Sequence, residues 1–155
     1  MKAEYEIDSK IIGSGHFGKV YRGVNRADPT ITVAIKVIDK KNMKREEIQA
    51  VMNEISILQE VDHPNIVRYL ETFEERRFIY LVMESCPGGE LFDSREIILK
   101  NGKSFTERQS CEIIKKCLSA LNHCHKLNVI HRDIKPENMM FGKDGDIRLV
   151  DFGLA

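Results

Sequence analysis

The stretch His131-Arg132-Asp133-Ile134-Lys135-Pro136-Glu137-Asn138 and, further along the chain, Asp151-Phe152-Gly153 decide the fold. Two short apolar runs around a glycine-rich turn separate them, which predicts a β-hairpin. Because a hairpin fixes the distance between its ends, we expect Asp133, Asn138 and Asp151 to converge. Oxygen ligands beside a lysine suit Mg²⁺ and a phosphate better than a soft metal. Each residue alone could be an ordinary turn residue, but the whole set at this spacing favours a site.

A second chemical signal lies near the N-terminus, where Gly13-Ser14-Gly15-His16-Phe17-Gly18 has the glycine spacing of a phosphate-binding loop. A dinucleotide-binding fold would need a helix directly after this loop, whereas residues 19–24 alternate like a strand. A strand–loop–strand flap, whose glycines let the backbone approach phosphate oxygens, fits better. A glycine-rich hairpin turn without a ligand remains the alternative for this stretch alone.

Residues 43–60 have the apolar period of a helix, and Glu54 lies on its apolar face. A carboxylate on such a face is costly unless a cation meets it. The strand Val33-Ala34-Ile35-Lys36 supplies a candidate, so we expect Lys36 to pair with Glu54. A solvated glutamate at the edge of the apolar face is the alternative.

The remaining patterns predict a small antiparallel lobe followed by helices. Strands joined by short connections make up residues 5–37, and a strand is expected from about Ile66 to Phe73 and another from Phe78 to Met83. The run 87–89, Pro-Gly-Gly, indicates a linker, and residues 93–102 a short helix. Residues 106–109 have the form of a capping box that begins a second helix, on which three cysteines at helical spacing are expected to be buried: Cys111, Cys117 and Cys124.

Size and composition describe a globular protein of one domain. The chain has 155 residues, of which 42% are hydrophobic and 31% charged, with a formal net charge of +0. Nothing in this balance favours nucleic acid as a partner, and no apolar run is long enough for a membrane span. The four cysteines form no metal-binding pattern. Reduced thiols and the absence of an apolar leader indicate an intracellular protein, cytoplasmic or nuclear.

The motifs together resemble those of protein kinases: the glycine loop, the strand ending in Lys36, the His-Arg-Asp loop with its lysine and asparagine, and Asp-Phe-Gly. The sequence Asp-Ile-Lys-Pro-Glu-Asn resembles the serine/threonine form. The resemblance implies an α+β bilobal fold. Its complete five-stranded antiparallel N-lobe with one helix would span residues 1–84, the hinge 85–90, and a partial, mainly helical C-lobe 91–155.

The resemblance also implies a role for each matching residue. Asp133 would orient the substrate hydroxyl, and Lys135 would hold the transferring phosphoryl group. Asn138 and Asp151 would bind Mg²⁺. The residues that would bind ATP or position its phosphates are Ile12, Gly13, Ser14, Gly15, His16, Phe17, Gly18, Val20, Ala34, Lys36, Glu54, Met83, Glu84, Cys86 and Glu90.

The implied partners are ATP, protein substrates and regulatory segments outside this chain. Glu90 and Glu137 resemble acids that attract arginine upstream of the acceptor, so substrates with basic residues near the acceptor are a hypothesis. The run from Pro87 to Asp93 further resembles the calcium/calmodulin-dependent and calcium-dependent kinases.

The motifs end close to Ala155, and we therefore expect the chain to be an N-terminal fragment of a longer kinase or an incomplete gene product. In that case the apolar helix near Ile114 would expose part of its surface. The alternative function is a nucleotide-binding or interaction module that does not transfer phosphate.

Overall fold

The computed structural model describes residues 1, 3–15, 17–91, 93 and 105–153. The helix expected over residues 93–102 lies outside these residues, apart from Asp93. The chain forms two compact units, Met1–Glu60 with Arg68–Ser85, and Val61–Val67 with Cys86–Ala155. Residues 61–67 thus belong to the second unit, although they lie within the range 1–84 expected for the N-lobe.

The first unit is built on one antiparallel sheet of five strands. They are β1 (Tyr5–Gly15), β2 (Gly18–Asn25), β3 (Thr32–Asp39), β4 (Tyr69–Glu74) and β5 (Phe78–Glu84). Their order is β1-β2-β3-β5-β4, and every neighbouring pair is antiparallel. Short connections between alternating apolar segments favour this arrangement, and the predicted five-stranded sheet is confirmed.

Polar side chains shape the connection between β2 and β3. Asn25 accepts hydrogen bonds from the backbone N–H groups of Ala27 and Asp28. Asp28 in turn accepts from the backbone N–H and the hydroxyl of Thr30. Such short-range bonds stabilise a turn at residues that are poor strand formers.

Helix α1 (Arg45–Glu60) begins two residues later than the sequence predicted. Glu46 and Glu47 lie in its first turn, where acidic groups complement the helix dipole. The side chain of Glu47 also accepts a hydrogen bond from the backbone N–H of Lys44 at 2.7 Å. The face that the helix buries carries Val51, Glu54, Ile55 and Leu58.

The second unit contains helix α2 (Glu107–Lys126), and the predicted capping box at its start is confirmed. Thr106 accepts from the backbone N–H of Gln109, whose side chain accepts from the backbone N–H of Thr106. Cys117 and Cys124 are buried as predicted, whereas Cys111 is exposed. The helix buries the side that carries Cys117, Ala120 and Cys124, so the expectation for Cys111 was wrong.

Part of the apolar surface of α2 is exposed, as expected: Ile114 and Leu118 keep 53% and 59% of their surface accessible. Neither α2 nor any other helix among the described residues is long and apolar enough to cross a membrane.

The predicted hairpin is present as β6 (Met139–Phe141) and β7 (Ile147–Leu149), with Gly145 at a positive φ in its turn. Residues 88–90 pair with β6, through bonds between Gly88 and Phe141 and between Phe141 and Gly89. Residues 65–67 line up beside β7 with a parallel bridge at Ile66. The strand expected from about Ile66 to Phe73 is present as β4 from Tyr69, but its expected start was wrong, because residues 65–67 pair with β7 instead.

Candidate functional site

The first group of candidate residues lies in the first unit and centres on a buried ion pair. Lys36 of β3 donates a hydrogen bond from Nζ to Oε1 of Glu54 of α1 at 2.7 Å. The two side chains are only 4% and 3% exposed. This pairing confirms the expectation drawn from the apolar face of the helix.

The ion pair keeps the ammonium group of Lys36 in place between the sheet and α1. An ammonium group has three donors, so Lys36 can hold Glu54 and an anionic ligand at the same time. The second oxygen of Glu54, Oε2, is buried and has no hydrogen-bond partner within the described residues. Glu54 therefore fixes the orientation of the Lys36 side chain, and Lys36 satisfies one oxygen of the Glu54 carboxylate.

The register of the sheet places several predicted ATP-binding residues on one face. Val20 of β2 lies opposite Lys36, and Gly13 of β1 lies opposite Val20. Ala34, two residues before Lys36, lies opposite Met83 of β5. Residues directly opposed on antiparallel strands, and residues two apart on one strand, share a face. The face that carries Lys36 thus carries all four of the others.

The glycine stretch forms the tip of the β1–β2 hairpin, where Ser14 pairs with Lys19 and Gly15 with Gly18. A Cβ atom on Gly18 would lie 2.4 Å from the carbonyl oxygen of Val37, so only glycine fits there without a shift of the backbone. Ile12 is exposed and Phe17 half-buried. His16 lies outside the described residues.

The predicted hinge residues fall in both units. Glu84 ends β5 opposite Val33, on the other face of the sheet from Lys36. Its side chain accepts a hydrogen bond from the backbone N–H of Arg68 at 2.9 Å. Cys86, in the second unit, accepts a backbone hydrogen bond from Gly89 at 3.3 Å.

Glu90 is half-buried and forms a backbone bridge with Met140 of β6. Burial raises the pKa of its carboxyl group, and the negative charges of Asp93 and Glu137 raise it further. These three acids therefore create a negative potential, which a cationic group would relieve.

The second group of candidate residues is the loop 131–138 in the second unit. Lys135 donates from Nζ to Oδ2 of Asp133 at 2.8 Å. Asn138 donates from Nδ2 to the same carboxylate oxygen and to the backbone carbonyl of Asp133, both at 2.8 Å. The lysine and the amide therefore fix the direction of the Asp133 carboxylate.

Hydrogen bonding keeps the Asp133 carboxylate ionised. The bond from Lys135 lowers the pKa of Asp133, and the bond from Asn138 adds to the effect against the opposing effect of burial. The same ion pair raises the pKa of Lys135. An ionised carboxylate can only accept hydrogen bonds, so it is suited to receive one from a hydroxyl group.

His131 stabilises the loop 131–138 through two hydrogen bonds of its ring. Its Nδ1 accepts the backbone N–H of Asp133 at 3.3 Å, so Nε2 carries the proton and donates to the carbonyl of Val150 at 3.1 Å. The ring of Phe152 lies 4.6 Å away between centroids. Burial lowers the pKa of His131, which keeps the ring neutral at physiological pH.

One residue of the loop 131–138 and one of the motif 151–153 have strained backbones. Arg132 and Asp151 both have a φ of 61°, in the left-handed region. Such conformations cost about 1–3 kcal/mol each and concentrate at functional sites. The strain is compatible with a site in which these residues direct groups toward a ligand.

Asn138 and Asp151 fit a hard cation. The backbone N–H of Val150 donates to the carbonyl of Asn138 at 3.0 Å, which places Asp151 next to Asn138. Because Asn138 uses its amide nitrogen on Asp133, its amide oxygen is the group it can offer a cation. One carboxylate and one amide oxygen suit Mg²⁺ that is also bound by phosphate. Among the described residues, no group of three or more His, Cys, Asp or Glu forms a metal site.

The sequence patterns missed Asn65, a buried residue that connects residues 61–67 to the hairpin. Its side chain donates to the carbonyl of Ile147, and its own carbonyl accepts from the backbone N–H of Leu149, both at 2.9 Å. A polar residue in an otherwise apolar run, Asn65-Ile66-Val67, was the available signal, but its partner lies 82 residues away.

The chain is similar to known proteins over nearly its whole length. Residues 5–155 match the family model described as protein kinase domain. The chain is 42% identical over 154 residues to "Calcium-dependent protein kinase 5" of Plasmodium berghei (strain Anka), covering 97% of this chain and 26% of that protein.

Two further relatives have a comparable identity. One is "Calcium/calmodulin-dependent protein kinase type 1" of Macrobrachium nipponense, 41% identical over 148 residues, 94% of this chain and 41% of that protein. The other is "Probable serine/threonine-protein kinase MARK-A" of Dictyostelium discoideum, 38% identical over 146 residues, 94% of this chain and 13% of that protein. The chain thus spans less than half the length of each relative.

Proposed function

The chain belongs to the protein kinase family, and from that premise we propose that it binds ATP with Mg²⁺ and transfers the γ-phosphoryl group to serine or threonine hydroxyls of proteins. The observation that carries the proposal is the geometry of Asp133, whose carboxylate Lys135 and Asn138 hold in one orientation. The similarity to calcium-dependent and calcium/calmodulin-dependent kinases supports the serine/threonine class.

Nucleotide binding is assigned to the face of the sheet that carries Lys36. Gly13 and Val20 approach from β1 and β2, and Ala34 and Met83 from β3 and β5. Lys36, oriented by Glu54, would neutralise the α- and β-phosphates. The backbone groups of residues 84–86 are proposed to recognise the adenine edge.

Asp133 would orient the acceptor hydroxyl rather than act as a strong base. Lys135 lowers the pKa of Asp133, and a weakly basic carboxylate removes a proton poorly at neutral pH. In a loose transition state the hydroxyl needs little activation before it meets the phosphoryl group. Asp133 would therefore accept the proton late, while Lys135 neutralises charge on the transferring group.

Mg²⁺ would be held by the amide oxygen of Asn138 and the carboxylate of Asp151, and it would supply charge neutralisation on the phosphates. A module that binds nucleotide without transfer remains the alternative, and no observation favours it.

The substrates are proposed to carry basic residues near the acceptor, because Glu90, Asp93 and Glu137 create negative potential together. Replacing Glu137 with alanine should weaken the preference for arginine in a peptide library. An unchanged preference would eliminate this part of the proposal.

The four free cysteines support a reducing compartment, cytoplasmic or nuclear. Regulatory segments are expected outside this chain.

The test of the whole proposal is transfer of labelled phosphate from ATP to a serine or threonine peptide. The chain should label the peptide only with Mg²⁺ present, and the Asp133→Asn variant should bind ATP but label the peptide far less. Binding without transfer by the parent chain would favour the alternative module.

A further inference from the structure

Two histidines outside the candidate site lie side by side in the second unit. His63, in the segment 61–67, and His123, on α2, have ring centroids 5.5 Å apart. Nδ1 of His63 accepts the backbone N–H of Asn65 at 3.0 Å, so its proton resides on Nε2, 3.0 Å from the hydroxyl of Ser119. His63 is therefore neutral in this arrangement.

A second proton would disturb the arrangement in two ways. On His63 it must occupy Nδ1, which removes the acceptor for Asn65. It would also place a positive charge beside the ring of His123, whose Nε2 is buried and has no hydrogen-bond partner among the described residues. The negative charge of Asp62 offsets only part of this cost at His63.

The residue that His63 orients attaches the segment 61–67 to β7. Asn65 bonds through its side chain to Ile147 and through its carbonyl to Leu149. The backbone N–H of Val67 donates to the carbonyl of Leu149 at 2.9 Å. Three hydrogen bonds thus depend on the backbone conformation that His63 stabilises.

We propose that His63, packed beside His123, holds the segment 61–67 against β7 while the His63 ring is neutral and loosens it when that ring is protonated on acidification. The segment leads from α1, which carries Glu54, to β4. In a more acidic compartment, the attachment of the segment 61–67 to β7 would weaken.

The charges around His63 support the direction of this effect. Burial lowers the pKa of His63, and His123 lowers it further, against an opposing effect of Asp62. Four charged residues of α2 share by helical spacing the side that carries Ser119 and His123, and they include both signs: Glu112, Lys115, Lys116 and Lys126. On β7 the groups that face Asn65 are backbone carbonyls and N–H groups, and Arg148 bonds to Asp144.

Thermodynamic linkage gives the direction in which pH changes the stability of the attachment of the segment 61–67. Because the folded-state pKa of His63 lies below the usual value of 6.5, its contribution is complete above that value and is lost as the pH falls through the lowered pKa. The attachment weakens by about tenfold for each unit of difference between the two pKa values, once the pH is below both.

The experiment combines two NMR readouts on the full chain. Titration of the His63 ring should give a pKa below 6.5. Hydrogen exchange of the Val67 and Leu149 amides, corrected for intrinsic rates, should lose protection on going from neutral to acidic pH. In His63→Asn, whose side chain can accept from the N–H two residues on but takes up no proton, most of that loss should disappear. His125→Asn, at an exposed position, is the matched control and should behave like the parent chain.

Other titrating groups, such as His131, lower protection in parent and variant alike, so the difference between the two isolates His63. A parent His63 pKa at or above 6.5 overturns the proposal and requires no variant. An equal loss of protection in the parent chain and His63→Asn overturns it as well.

Discussion

Replacing Lys36 or Glu54 tests the buried ion pair by a double-mutant cycle. In Lys36→Met, the Glu54 carboxylate keeps no hydrogen bond from the described residues, since Oε2 already has none and Oε1 is bonded to Lys36. Removing one partner of a buried pair costs about 3–5 kcal/mol, whereas replacing both by apolar residues of similar volume is often neutral or stabilising. We therefore expect each single variant to lose about 3–5 kcal/mol and Lys36→Met/Glu54→Met to stay within about 1 kcal/mol of the parent chain.

Urea denaturation followed by circular dichroism measures these free energies, and titration with ATP and Mg²⁺ measures the function. The double variant should recover stability but not ATP binding, because the lysine that holds the phosphates is gone. Arg77→Ala is the matched control: its pair with Asp39 is 55% and 41% exposed, so its loss should cost less than about 1 kcal/mol.

Two results would contradict this role of the ion pair. A cost below about 1 kcal/mol for Lys36→Met would mean that water reaches the carboxylate, as at exposed pairs. Additive losses in the double variant would mean that the two side chains stabilise the fold independently.

Four other residues give one prediction each: Asp133, Asn138, Gly18 and His131. Asp133→Asn should lower the rate of phosphoryl transfer by about 10²–10⁴-fold with unchanged ATP affinity, and equal rates in a steady-state assay would contradict the role of Asp133. Asn138→Ala should weaken the Mg²⁺ dependence of ATP binding, measured by Mg²⁺ titration, because a proposed metal ligand is lost; an unchanged Mg²⁺ requirement would remove Asn138 from that site. Gly18→Ala should destabilise the chain by about 1–3 kcal/mol, because the new Cβ would lie 2.4 Å from the Val37 carbonyl oxygen. Gly13→Ala is the control: the nearest atom to its Cβ lies at 3.7 Å, so its melting temperature should fall far less. Equal melting temperatures for the two variants would contradict the steric effect. Burial lowers the pKa of His131 from 6.5, so the stability that its neutral ring contributes is complete above pH 6.5 and is lost as the pH falls through the lowered pKa. The melting temperature should therefore fall over that range of pH. A melting temperature that does not change with pH would contradict this role of His131.

Local patterns predicted the elements whose causes are local. The capping box at Thr106 and Gln109 and the hairpin of β6 and β7 depend on residues close in sequence, so their signals could be recognised there. The pairing of Lys36 with Glu54 was also accessible, because a carboxylate on an apolar helix face requires a cation.

Features decided by distant contacts were not accessible. Residues 65–67 look like the start of a strand leading to β4, but they pair with β7, more than 80 residues away. The proximity of His63 and His123 likewise depends on how 61–67 packs on α2, which no spacing in the sequence encodes. Cys111, by contrast, was accessible: it precedes Cys117 by six residues, which places it about 120° around α2 from the buried side.

Isothermal titration of the chain with ATP tests most directly the proposal that Lys36 holds the phosphates and that Asn138 and Asp151 hold Mg²⁺. We expect saturable binding that requires Mg²⁺, is abolished in Lys36→Met and is strongly weakened in Asp151→Asn, because a proposed ligand of the required Mg²⁺ is lost. Equally strong ATP binding without Mg²⁺ and in Lys36→Met would contradict the proposed roles of Lys36 and Mg²⁺. An absence of ATP binding by the folded parent chain would contradict them as well.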